Sequence, residues 1–163
     1  ELNLMKLPIF LFVIAAFIGS SAYIYAGSQN STQFRVQIHI KESCNISSED
    51  SSSLDFGTVN RFENNATSQG NLSIHCTNGT PYNITLKSDR QMANQSALNI
   101  TIPYTLYQDA TRQVIWGDNL NEGYNNTGIG STQHVPVWGK ILKQDTNVPS
   151  GIYSDTVTAT VNY

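Results

Sequence analysis

The chain has 163 residues, a formal net charge of −3 and only 13% charged residues. This length predicts one domain once a leader is set aside. The sequence lacks the clustered basic residues that bind nucleic acid or an anionic membrane surface. Composition and charge therefore argue against a nucleic-acid-binding protein, and they leave the identity of any partner open.

Residues 1–26 have the pattern of a secretory signal peptide. Lys6 supplies a positive charge, and the run Leu7–Ile18 is apolar apart from one proline. Small residues follow, and cleavage after either Ala22 or Ala26 fits the pattern. A membrane anchor is the alternative, but twelve apolar residues are fewer than the roughly 20 that span a bilayer. We therefore expect an exported chain with a cleaved leader.

The segment that follows, residues 27–41, contains a strict alternation of apolar and polar residues. A period of two is typical of a β-strand with one buried face. The four apolar positions are Phe34, Val36, Ile38 and Ile40. The pattern predicts an N-terminal strand, and it raises the question of what surface buries its apolar face.

Two cysteines, Cys44 and Cys76, occur in the chain. An exported protein with two cysteines is expected to form one disulfide. Closing a loop of this length stabilises a fold by roughly 3 to 4 kcal/mol in the chain-entropy treatment. The number of thiols is too small for a cysteine-rich zinc site.

Beyond the leader, period-two runs separated by turn residues predict an all-β protein. Antiparallel strands of this number favour a β-sandwich, with a small barrel as the alternative. The loops are expected in the Ser- and Asn-rich stretches, among them Ser43–Ser53, Asn60–Gly70 and Gly117–Ser131. The predicted strands are Phe34–Ile40, Leu54–Val59, Asn71–Cys76, Tyr82–Lys87, Ile102–Gln108, Gln113–Trp116, His134–Leu142 and Tyr153–Tyr163.

The final strand has the most regular alternation. One face carries Val157, Ala159, Val161 and Tyr163, and the residues between them are Thr or Asn. Neither this strand nor the N-terminal one contains the proline or inward-facing charge that protects an exposed sheet edge. The two strands could pair within one molecule, or each could require a partner from elsewhere.

The sequence offers little support for catalysis, so we expect neither an enzyme nor a bound cofactor or metal. The histidines show no metal-binding spacing, and the acidic loop residues show no nucleophile or paired-carboxylate pattern. These candidates are His39, His75, His134, Asp109, Arg112, Asp118 and Asp155. Acidic residues beside turn glycines more often cap turns.

Aromatic residues suggest a different class of function. A self-complete β-sandwich could bind carbohydrate with Trp116, Trp138 and the Gly117–Ser131 loop, with Tyr104, Tyr107 and Tyr124 as further candidates. Strand aromatics more commonly belong to a core. Carbohydrate binding is therefore the weaker interpretation.

Several segments resemble the spore coat protein U domain family, which includes subunits of archaic chaperone–usher pili of the Csu type. The resemblance covers about Phe34 to Tyr163. It is carried by FRVQIHIKESCNI, LDFGTV, CTNGTPYNITL, YTLYQDATRQVIWGD, VPVWGKI and VPSGIYSDTVTATVNY, in this order.

The resemblance implies an incomplete immunoglobulin-like sandwich in residues 42–163, lacking its final strand. In that family a periplasmic chaperone fills the resulting groove. The N-terminal segment of the next subunit then replaces the chaperone strand at an outer-membrane usher. This is β-strand addition, in which backbone hydrogen bonds give affinity and alternate side chains give specificity.

Carried onto this sequence, the resemblance makes residues 27–41 the donor segment. Its donor side chains would be Phe34, Val36, Ile38 and Ile40. The groove edge, which the chaperone also grips, would be Val157, Ala159, Val161 and Tyr163. The expected function is a structural subunit of a surface pilus that supports adhesion and biofilm formation. A surface coat protein assembled without an usher is a further alternative.

Overall fold

A computed structural model describes residues 27–48, 54–96 and 99–163. The signal peptide expected at residues 1–26 lies outside the described residues. The chain divides into two units, Glu1–Ile38 and His39–Tyr163. Within the described part, we find no helix that is both long enough and apolar enough to cross a membrane.

The described residues form an all-β fold whose strands pair antiparallel, with one short 3-10 helix at Lys143–Thr146. The strands are β1 (Cys44–Ser48), β2 (Ala66–Cys76), β3 (Pro81–Lys87), β4 (Gln91–Asn94), β5 (Thr101–Pro103), β6 (Thr105–Tyr107), β7 (Tyr124–Thr127), β8 (Thr132–Ile141), β9 (Tyr153–Ser154) and β10 (Thr158–Asn162). The predicted fold class, an antiparallel all-β domain, is confirmed.

The strands are arranged in three sheets. The first has the order β1-β2-β8-β6, the second β10-β3-β7, and a small third sheet has the order β5-β4-β9. The long pairing of β2 with β8 runs from Ala66 opposite Ile141 to His75 opposite Thr132. Strand β10 pairs with β3 and forms one edge of the second sheet, while β1 forms one edge of the first.

The core lies between the first and second sheets. Alternate residues of β2 and β8 point inward, so that Ile74 and Val135 are almost fully buried. From the second sheet, Ile84 and Leu86 pack into the same cluster. Complete burial of such side chains contributes roughly 1.5–3 kcal/mol each, so this interface is the main stabilising feature of the fold.

The disulfide predicted from the sequence is present. Cys44 and Cys76 are joined through their sulfur atoms and stand opposite each other in the β1–β2 register. Cys76 is fully buried and belongs to the core cluster. The bond therefore fixes the edge strand β1 to the centre of the first sheet.

Several predicted strands are wrong in their bounds. Ile102–Gln108 is divided at Tyr104, whose backbone N–H still donates to the Arg90 carbonyl beside β4 (3.1 Å). The chain changes sheet there, with β5 pairing to β4 and β6 pairing to β8. The predicted final strand Tyr153–Tyr163 is divided in the same way, since β9 pairs with β4 and β10 with β3.

Two of the predicted strands are replaced by turns. Leu54–Val59 contains a turn, in which the Asp55 carboxylate accepts the N–H of Gly57 (2.8 Å) and Gly57 has φ of +68°. In Gln113–Trp116, the Asp109 carboxylate accepts the N–H groups of Gln113 and Val114, and a single bridge joins Ile115 to Tyr107. In both segments a side-chain carboxylate replaces the backbone partner that a strand would supply.

Three strands lie where the sequence pattern gave no strand. β1 falls inside the expected Ser43–Ser53 loop, and β7 falls inside the expected Gly117–Ser131 loop. β4 was not predicted, and β2 begins at Ala66, within the expected Asn60–Gly70 loop. These strands are rich in Asn and Ser, which have low β-propensity, so the sequence pattern does not predict them. They form because pairing with a neighbouring strand outweighs this weak local preference.

Candidate functional site

An open groove of about 820 Å³ penetrates the unit His39–Tyr163 between its sheets. Its inner surface consists of core side chains that remain accessible from the groove, and we call it the open groove throughout. The apolar residues lining it include Leu54, Phe56, Leu72, Leu86, Met92, Ile102, Leu106, Val137, Ile141, Val148, Val157 and Ala159. A groove with this lining suits an extended segment whose apolar side chains enter at every second residue.

Strand β10 forms one wall of the open groove. Ala159 and the residue just before the strand, Val157, line it, and Val161 is half-buried on the same face. Ala159 stands opposite Leu86 and Val161 opposite Ile84 in the β10–β3 register. The other edge of β10 has no partner among the described strands, so its backbone groups are free to pair.

Tyr163 differs from the other three residues predicted for the groove edge. It is 62% exposed and lies after the end of β10. Neither Tyr163 nor Val161 is a lining residue of the open groove. The sequence alternation places Tyr163 on the same face as Ala159 and Val161. Because β10 ends at Asn162, Tyr163 lies beyond the end of the strand, and its role at the groove edge stays a prediction.

Leu54 and Phe56 form another part of the lining, although their segment is not a strand. They pack over Gly139 of β8. A Cβ atom at position 139 would lie 2.7 Å from Leu54 Cδ2 and 2.8 Å from Phe56 Cζ. Only the absence of a side chain at Gly139 lets this segment lie so close to the sheet. Sequence periodicity could not have revealed this contact.

Tyr104 and Asp155 form a polar contact in the lining of the open groove. The Tyr104 hydroxyl donates to Asp155 Oδ2 (2.6 Å) and lies 3.2 Å from the Ser88 hydroxyl. Burial raises the pKa of the Tyr104 hydroxyl, and the hydrogen bond to Asp155 adds to this increase. The contact ties the segment between β9 and β10 to the core beneath it.

The strap Ile115–Gly117 closes the sandwich by joining β6, an edge of the first sheet, to β3 in the second. Within it, the Trp116 N–H donates to the Leu106 carbonyl (2.9 Å) and the indole Nε1–H donates to the Ile84 carbonyl (2.7 Å). The Leu86 N–H donates to the Gly117 carbonyl (2.9 Å). Trp116 is consequently 0% exposed and serves as a core residue.

The proposed donor side chains have a different environment. Residues 27–43 carry no regular secondary structure, so Phe34–Ile40 does not form the predicted strand in this structure. Phe34, Val36, Ile38 and Ile40 are each between 81% and 84% exposed. Four large apolar side chains in regular alternation are thus left in contact with solvent. Their role as donors stays a prediction.

The aromatic residues considered for carbohydrate binding do not form one surface. Trp116 and Tyr104 are buried, and Tyr124 packs against Trp116 with 5.4 Å between ring centroids. Trp138 is half-buried on β8, where the guanidinium of Arg112 lies 5.6 Å from its ring centroid. The predicted platform of Trp116 with Trp138 is therefore wrong, because Trp116 is inaccessible to a ligand.

The residues considered for catalysis or metal binding are dispersed. No group of three or more His, Cys, Asp or Glu side chains in the described ranges could hold a metal ion. Asp109 acts as a turn cap, and hydrogen bonds from the Thr111 hydroxyl and from the Val114 N–H lower the pKa of its carboxyl group. Asp155 contacts Tyr104, as described above. His39, His75 and Asp118 have exposed or partly exposed positions elsewhere on the chain.

Comparisons with known proteins agree with this geometry. Residues 30–160 match the family described as Spore Coat Protein U domain. The chain is also 34% identical to Protein U of Myxococcus xanthus over 107 residues. That alignment covers 58% of this chain and 59% of the relative, so the chain spans less than two thirds of the relative's length.

A solved structure shares the fold. It is a crystal structure of a chaperone–tip adhesion subunit pre-assembly complex from the archaic chaperone–usher Csu pili of Acinetobacter baumannii. The TM-score is 0.52 at 21% sequence identity, and the match covers 76% of this chain and 40% of the other. At this identity the match establishes a common fold.

Proposed function

The chain belongs to the Spore Coat Protein U domain family, and on that premise we propose that it is a structural subunit of a surface pilus. In this proposal a subunit receives the donor segment of its neighbour in the open groove and offers its own residues 27–41 to the next. Each contact joins two different surfaces, so repetition produces a filament rather than a closed dimer. The fibre would serve adhesion and biofilm formation.

One chain contains both an open apolar groove and a segment whose alternating apolar side chains are exposed, and this observation carries the proposal. The groove has an apolar lining and an unpaired wall strand, β10. The donor segment has four exposed apolar side chains with the period of a β-strand. Burial of these four side chains would contribute on the order of 6–12 kcal/mol before the cost of ordering the segment.

The same groove explains the partners that the proposal requires. An exposed apolar groove and an open strand edge favour aggregation in an unassembled subunit. A periplasmic chaperone would cover Val157, Ala159 and Val161 until an outer-membrane usher passes the subunit to a neighbouring one. The chain would leave the cytoplasm by its signal peptide, pass through the periplasm and act at the cell surface.

The decisive experiment is a thermal melt of the chain Gly27–Tyr163 carrying Val36→Ser and Ile38→Ser, which disable its own donor segment. Addition of a synthetic peptide with the sequence Ser31–Lys41 should raise the Tm by many degrees, because the ligand binds only the folded state. The matched control is the same peptide with serine at both positions. No shift with the native peptide would refute donor complementation.

A second arm separates a pilus from a surface coat assembled without an usher. The chain is co-expressed with a chaperone and usher from a Csu-type system or with the chaperone alone. Fibres that depend on both proteins support the proposed pathway. Assembly that is unaffected by their removal would assign the chain to a coat.

A further inference from the structure

The donor segment and the rest of the chain carry charge of opposite sign. Residues 27–41 contain Arg35 and Lys41 and no acidic residue. Residues 42–163 contain six Lys or Arg and eleven Asp or Glu, which gives a formal net charge of −5. The net charge of −3 therefore divides into a basic donor segment and an acidic remainder, residues 42–163.

The walls of the open groove are not where this charge lies. Strand β10, which forms one wall, and strand β1, whose Ser48 also lines the groove, contain no charged residue. At the rim, Asp55 and Asp155 are exposed and line the groove, together with one cation, Arg61. The charge available to an incoming segment therefore comes from the rim carboxylates and from the acidic surface of the domain as a whole.

The position of the basic residues in the alternation determines whether they can form close ion pairs in the groove or act only through long-range attraction. Arg35 and Lys41 occupy the polar face of the pattern, opposite Phe34, Val36, Ile38 and Ile40. When the apolar face enters a groove, the charged face stays in water, where close ion pairs contribute little. Long-range attraction between unlike charges acts before contact and raises the rate of encounter.

We propose that donor exchange in this protein is electrostatically steered and homotypic, with the basic donor segment of one copy drawn to the acidic domain of a second copy. This inference rests on the proposed function, and it adds a mechanism of partner choice. Charge would select the donor during encounter, and the apolar side chains would then hold it. A donor of the same hydrophobicity without basic residues would enter the same groove more slowly.

The test measures association and dissociation rates by fluorescence anisotropy. The acceptor is the chain Gly27–Tyr163 with Val36→Ser and Ile38→Ser, and the labelled probes are the Ser31–Lys41 peptide and its Arg35→Gln, Lys41→Gln variant. At about 0.05 M NaCl the native peptide should associate about tenfold faster. The difference should fall below about twofold at about 0.5 M NaCl, where charges are screened within a few ångströms.

The acceptor provides a matched pair of variants. Asp55→Asn with Asp155→Asn removes the two rim charges while keeping side chains that can still accept hydrogen bonds. Asp89→Asn removes one exposed charge that does not line the open groove. Because the rim variant removes two charges, it should slow association of the native peptide by more than the square of the factor seen with Asp89→Asn, and it should leave the dissociation rate nearly unchanged.

The outcomes separate the inference from the proposed function. If both peptides bind with equal rates at low salt, steering is overturned while the groove still accepts the donor. If neither peptide binds, donor complementation itself fails, and steering fails with it. A charge effect that appears only in the dissociation rate would also contradict steering, because it would indicate close ion pairs in the bound state.

Discussion

The two sides of the sandwich bury the core in different ways. On one side, the strap Ile115–Gly117 hydrogen-bonds to both sheets and inserts Trp116 completely into the core. On the other, β10 ends its sheet without a second partner among the described strands, and the open groove exposes core side chains. One chain thus contains a side closed by its own residues and a side where an edge strand and an apolar groove stay open.

The two sides differ in how the backbone groups at the sheet edges are paired. The closed side satisfies the backbone groups of Leu106 and Leu86 with partners from the strap. At the open side, the backbone groups on the free edge of β10 have no strand partner among the described residues, and the apolar side chains of the open groove remain accessible. In the proposed assembly, residues 34–40 of a neighbouring copy would supply both a strand partner and apolar contacts, because a strand offers backbone groups along its edge and side chains on one face.

The largest effect should follow from a charge placed on the groove face of β10. Ala159→Asp puts a carboxylate in the lining of the open groove, where an inserted strand would bury it without a partner. We expect loss of fibres, measured by electron microscopy and sedimentation. Thr158→Asp, on the exposed face of the same strand, is the matched control and should still assemble. Equal loss with both variants would argue against a groove-specific effect.

On the closed side, Trp116→Ala should lower the free energy of unfolding by about 3–5 kcal/mol, because it leaves a large cavity and removes the indole hydrogen bond to Ile84. Urea unfolding measures this change. Trp138→Ala removes a half-buried tryptophan from β8 and should cost distinctly less. Similar costs for the two variants would mean that the strap does not close the core as described.

The smallest effect concerns the polar contact of the open groove. Because the pKa of Tyr104 is raised in the folded state, its contribution to stability is fully present below about pH 10 and is lost as pH rises further. Tyr104→Phe should cost about 1 kcal/mol at neutral pH. It should also reduce the decline in stability above about pH 10, followed by urea unfolding across pH. An unchanged alkaline decline would assign that loss to another group, such as Tyr82.

Local pattern was sufficient for the long, regular parts of this protein. The period-two runs predicted strands that overlap β3 and β8, and the alternation in the last strand also placed Ala159 and Val161 on the half-buried face of β10. Two cysteines in a chain expected to be exported predicted their disulfide. These features depend on residues two apart in sequence, or on chemistry that needs no knowledge of the fold. The family resemblance supplied the idea of a groove and of a donor segment.

The residues that form the open groove and those that close the opposite side are set by contacts between distant parts of the chain. Leu54 and Phe56 line the groove because Gly139 admits them, and Trp116 leaves the surface because its strap finds partners on two sheets. These contacts join residues far apart in the chain. Their free energy depends on the arrangement of neighbouring backbones in space, which no local repeat of hydrophobic residues encodes.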